Sequence, residues 1–148
     1  MKPRARTSIA AIATAAAVGG TGAFLLPAAS ARTAINTLTF TSVQQSTVNF
    51  SRMVGAAQDK DVDEAGKVLG YDVLRFSFDP ATNTASIGVT VDLKGGFLYG
   101  VMHESGGPVI RGKVTGGTGA FTGASGTITA KSLNQNDTKT AVTITYRS

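Results

Sequence analysis

Residues 113–130 read KVTGGTGAFTGASGTITA, and the reading of this stretch decides the fold. Lys113 to Thr115 has strand character, as does Gly126 to Ala130, where Thr127, Ile128 and Thr129 are β-branched. Between them, glycines at 116, 117, 119, 123 and 126 form a corner in which positive φ and close backbone approach cost little, with Phe121 as its one large apolar anchor. A nucleotide-binding reading fails on spacing. Thr122 stands where G-x-G-x-x-G needs its third glycine, and no helix follows to receive a pyrophosphate. Just upstream, Gly107 to Val114 matches G-x-x-x-x-G-K but ends in Val, so the magnesium-binding hydroxyl is missing.

The letters GGTGAF also occur at residues 19–24, in a different setting. There they lie in an apolar run from Ile9 to Leu26, preceded by Lys2, Arg4 and Arg6 and followed by Ala29-Ser30-Ala31. A positive start, an apolar middle and small residues around a cleavage point make a secretory signal, expected over residues 1–31. The expected mature chain, residues 32–148, is one domain and is exported to the extracellular space.

With the leader removed, eleven bases face nine acids, so the formal +5 of the whole chain falls to +2. That balance gives no basic stripe for nucleic acid, and no nucleic-acid or membrane partner is expected of the mature chain. The absence of cysteine rules out disulfides and lipidation at a lipobox, so packing and β-ladders alone must hold the fold. Eighteen glycines against four prolines, with many Thr and Val, favour an all-β, turn-rich domain.

The mature chain divides into short strands at roughly ten-residue spacing. Thr37 to Gln45 alternates Leu38, Phe40 and Ser42 against threonines. Lys67 to Asp79 sets Leu74, Phe76 and Phe78 against Tyr71, Val73, Arg75 and Ser77, and Ser86 to Leu93 alternates strictly through Ile87, Val89, Val91 and Leu93. Pro80 to Asn83 and Lys94-Gly95-Gly96 read as turns. Phe97 to Glu104 is apolar on both faces, which predicts a cover on each, a lumen on one side and a partner subunit or loop on the other. Val109 to Thr115, Ser125 to Lys131 and Thr140 to Arg147 complete seven or eight strands, the pattern of a small antiparallel barrel or sandwich.

Asp59, Asp61, Asp63 and Glu64, flanked by glycines, read as an acidic surface loop. Their alternation also suits calcium, although Gly66 and the lack of a Glu twelve positions after Asp59 fail the EF-hand pattern. With His103 the single histidine, no multi-histidine metal site exists, and no metal is expected. Gly123-Ala124-Ser125-Gly126 has the wrong spacing for a nucleophile elbow. Tyr99, Val101 and His103 share a face with Phe97, so an imidazole beside a tyrosine in a lumen is a candidate acid–base pair. Arg75 is read as an inward cation facing Asp72 or Asp92. Tyr99, His103 and Arg75 are thus the candidate catalytic residues, and Phe97 and Tyr71 the candidate ligand contacts.

The segment Thr115 to Gly126 resembles the GGTG-aromatic-x-x-A-x-G signature of the dirigent protein and allene oxide cyclase superfamily, carried here by Gly116, Gly117, Thr118, Gly119, Phe121, Ala124 and Gly126. Gly66 to Asp72 looks like the segment before a family strand, and Leu93 to Gly100 like the hairpin that feeds the signature. The resemblance implies an eight-stranded antiparallel β-barrel with a partly apolar lumen, secreted in the dirigent branch and assembled as a homo-dimer or homo-trimer. It also implies a small apolar or aromatic ligand and a cyclase or isomerase chemistry that uses no cofactor. Allene oxide cyclases use a first-strand carboxylate, whereas the first strand here offers only Gln44 and Gln45. The alternative is a non-catalytic extracellular module whose barrel is filled by its own side chains.

Overall fold

The computed structural model describes residues 34–148, so the leader read at residues 1–31 lies outside the described residues. Eight strands follow in order: β1 (Asn36–Asn49), β2 (Val54–Val62), β3 (Val68–Asp79), β4 (Thr84–Leu93), β5 (Gly96–Glu104), β6 (Val109–Gly117), β7 (Ser125–Ser132) and β8 (Lys139–Arg147). Each pairs antiparallel with its neighbour in sequence, and β8 returns to β1 in register, from Asn36 opposite Tyr146 to Val43 opposite Lys139. The expected eight-stranded barrel is therefore closed, and closure leaves no sheet edge to protect.

Period-two alternation sends one face of every strand inward. Phe40, Val91, Leu98, Val114, Ile128 and Ile144 meet on the axis, and Leu98 and Ile144 are almost wholly buried. Each such side chain contributes about 1.5–3 kcal/mol relative to exposure. In β5 the inward set is Leu98, Gly100 and Met102. Gly100 is small because a Cβ there would run into Ile128 from across the barrel.

The glycine corner closes one end of the barrel. Gly119–Phe121 forms a single 3₁₀ turn whose Phe121 is buried edge-on against Tyr146, with ring centroids 5.7 Å apart at 65°. The corner interlocks with the β4–β5 turn backbone to backbone. Ala120 N donates to Gly95 O at 2.8 Å, Thr118 N to Phe97 O at 2.9 Å, and Phe97 N to Thr118 Oγ1 at 3.1 Å. A Cβ on Gly96 would overlap the Thr118 carbonyl, and one on Gly119 the Gly95 carbonyl. Two glycine turns are thus needed because neither leaves room for a side chain on the other.

The acidic segment departs from its reading as a surface loop. Asp59 and Asp61 belong to β2 and point inward, at 7% and 0% exposure, while Asp63 and Glu64 lie in the β2–β3 turn, where Asp63 Oδ1 accepts from Ala65 N and Lys67 N. Carboxylates two apart look alike in a solvated loop and on one face of a strand, and charge led the reading toward water. The parity of Ala57, Asp59 and Asp61 points to the lumen.

Candidate functional site

Three strands bring four polar side chains together inside the barrel. Ser42 comes from β1, Asp59 and Asp61 from β2, and Asp72 from β3, all at 7% exposure or less. Asp59 and Asp72 are direct cross-strand partners, and Ser42 pairs with Asp61 in the β1–β2 ladder. Ser42 Oγ lies 2.9 Å from Asp59 Oδ2 and 3.0 Å from Asp72 Oδ2. A serine hydroxyl has one proton to donate. To satisfy both contacts fully, one carboxyl must carry its own proton and donate it to Oγ, so the geometry itself calls for a protonated acid.

The electrostatics raise all three carboxyls, Asp61 the furthest. Burial pushes the Asp61 carboxyl up to about 8, helped by the nearby Asp72 and Asp59 charges. Burial and then the Asp59 charge push Asp72 up to about 6, against the hydrogen bond from Ser42. Asp59 is raised by burial and held back by Ser42. At neutral pH Asp61 therefore keeps its proton. Among the described residues, Asp59 Oδ1, Asp72 Oδ1 and both Asp61 oxygens have no hydrogen-bond partner. Among the described residues no group of three His, Cys, Asp or Glu is arranged to hold a metal ion.

Asp59, Asp72 and Ser42 border a cavity of about 80 Å³, walled otherwise by Phe40, Leu74, Ile87, Val89, Met102, Ile128 and other apolar side chains, with Thr140. That exceeds the space one water needs, so the lumen is not filled by its own side chains. A second pocket of about 250 Å³ at the mouth shares Asp59, Leu74, Ile87 and Thr140 with it and adds Gln44, Phe76, Glu104 and Asp137. Asp59 sits where the apolar chamber meets its entrance, and Asp72 faces the chamber alone.

No family model and no curated protein matches the chain. Solved structures do. A pterocarpan synthase dirigent protein superposes with a TM-score of 0.67 at 18% identity, over 78% of this chain and 88% of that one. The chain has the dirigent-like barrel fold. Pyocyanin demethylase is similar with a TM-score of 0.64 at 18% identity, over 75% of this chain and 99% of its own. An exo-specific intermolecular Diels–Alderase gives 0.63 at 12%, over 78% and 99%.

On this dirigent-like barrel, the residues singled out from sequence lie outside. Phe97, Tyr99, Val101 and His103 do share a face, but it is the outer one: Tyr99 is 37% exposed, Phe97 40% and Tyr71 45%. His103 is exposed, with Nδ1 3.3 Å from Ser86 Oγ. Arg75 is also exposed and points away from Asp72. A strand apolar on both faces cannot reveal which face is inside, and the bulkier, partly polar set of β5 faces outward, where no described segment covers it. Gln44 reaches the mouth, while Gln45 occupies the β1 bulge and donates to Val43 O. The lumen acids went unread although Asp72 shares its parity with Leu74 and Phe76, a signal legible in sequence.

Proposed function

We propose that the barrel is a secreted enzyme that takes a small apolar or aromatic molecule into its lumen and steers a cyclisation or coupling by proton transfer, without a cofactor. The observation that carries this reading is the apolar cavity bordered by Asp59, Asp72 and Ser42, with a proton held behind it on Asp61. The structural likeness to dirigent proteins and a Diels–Alderase supports it.

The aliphatic wall excludes water and selects a folded conformer, which removes entropy from the barrier. Asp72, in its protonated form, gives a proton to the basic atom of the substrate as the new bond forms. When the product sheds a proton, Asp59 takes it and Ser42 returns it toward Asp72, so the site ends as it began. Positioned acid–base groups of this kind contribute about 10²–10⁴-fold to a rate.

The test is to incubate the purified protein with small-molecule extract of its producing organism and follow the mixture by mass spectrometry. One compound should be converted to an isomer or coupled product, and Asp72→Asn should slow that conversion by about 10²-fold or more. Absence of any conversion, together with a bare protein mass in native mass spectrometry, would overturn the reading.

A further inference from the structure

We propose that the lumen ligand is a cation: a protonated primary or secondary amine on an apolar or aromatic body, whose N–H groups reach Asp59 and Asp72. This inference rests on the lumen-binding part of the reading above, not on Asp72 as its proton donor.

The argument begins with unmet valence. Asp59 and Asp72 are 93% and 97% buried, border the cavity, and each keeps one oxygen without a partner. An unpaired buried acceptor costs the desolvation of that group, and a ligand that supplies donors recovers it. An ammonium brings two or three N–H donors and the charge that makes such bonds short and strong.

The second strand of argument is the sign of everything on the way in. No Lys, Arg or His lines either the cavity or the mouth. The titratable groups lining them are Asp59 from β2, Asp72 from β3, Glu104 from the end of β5 and Asp137 from the β7–β8 turn, with Asp61 of β2 buried outside both linings. Four of the nine acids of the chain line this path, although bases outnumber acids overall. The local field repels anions and favours cations along the whole entrance.

The third element is the wall. Leu74, Ile87, Val89, Met102 and Ile128 offer nothing polar to a ligand body, so the charged end has one place to go. A small inorganic ion would leave that apolar surface unfilled.

Binding then competes with protons. A cation seated against Asp59 and Asp72 displaces protons from the cluster, so its affinity rises with pH. A neutral ligand with a carbonyl acceptor behaves in the opposite way, since it needs the protonated acid.

Calorimetric titration of the purified protein with phenethylammonium, 2-phenylethanol and 3-phenylpropanoate, at pH 5 and pH 8, decides the matter. Phenethylammonium should bind at least tenfold more tightly than the alcohol at pH 8, lose at least tenfold on going to pH 5, and release protons on binding. Phenylpropanoate should not bind. Asp59→Asn and Asp72→Asn should each erase most of the preference for the ammonium. Should either variant fail to fold, the pH dependence of the wild-type protein still decides. Equal binding of ammonium and alcohol would overturn the cation inference and leave the lumen reading standing. Failure of all three probes to bind would overturn both.

Discussion

Asp59 and Asp72 face each other across the β2–β3 ladder with both carboxyls inside the barrel and the Ser42 hydroxyl bonded to each. Like charges directly opposite on one sheet face destabilise a pair. Their juxtaposition inside a low-dielectric core is tolerable because Asp61, behind them, holds a proton, and because Asp72 is itself half-way to holding one at pH 6.

Stability should therefore depend on pH in a direction opposite to that of surface carboxylates. All three acids have folded-state values above the ordinary 3.8, so the folded chain binds more protons than the unfolded chain from about pH 4 to about pH 8. The stabilisation is fully present below this window and is lost as pH rises through it. Asp61→Asn keeps the shape of the side chain and removes the charge. Thermal melts should show Asp61→Asn more stable than the parent at pH 9, by about 2 kcal/mol or more, and equal to it within about 1 kcal/mol at pH 4. A parent that gains stability between pH 4 and pH 8 would contradict the buried, proton-holding cluster.

Ser42→Ala removes the hydroxyl that both carboxylates use. Urea unfolding at pH 7 should show a loss of about 1–3 kcal/mol. Titration of Asp59 and Asp72 followed by NMR should move upward, since Ser42 lowers both. No movement in either signal would mean that the hydroxyl does not hold the pair.

The interlocked turns make a separate, steric prediction. Gly96→Ala drives a methyl into the Thr118 carbonyl and should cost more than about 3 kcal/mol or abolish folding. Gly66→Ala, with φ of 81° and open space around it, should cost only about 1–2 kcal/mol. Equal losses measured by chemical denaturation would show that conformation alone, and not the backbone contact, requires glycine at 96.

Ala130 borders the cavity and is buried at 3% exposure. Ala130→Leu should fill part of the space, change stability by no more than about 2 kcal/mol in either direction, and abolish retention of a lumen ligand in native mass spectrometry. Undiminished retention would place the ligand elsewhere on the protein.

Much of the barrel was legible in the chain itself. Alternation in Ser86 to Leu93 and Thr140 to Arg147, turn residues at Pro80 to Asn83 and Lys94 to Gly96, and the glycine corner with Phe121 each report backbone geometry, which is local. These patterns determined strands, corners and an all-β class without knowledge of any partner strand. The site was not legible in that way, because a period of two says that two faces exist and not which of them is the inside. For β5 the choice fell to Leu98, Gly100 and Met102, and it turned Tyr99 and His103 outward. The β1–β2 and β2–β3 ladders brought Ser42 to acids 17 and 30 positions away, and closure of β8 onto β1 put all of them inside. Only that closure could make a chamber, because burial of Asp59, Asp61 and Asp72 is a property of the closed barrel and of no single segment.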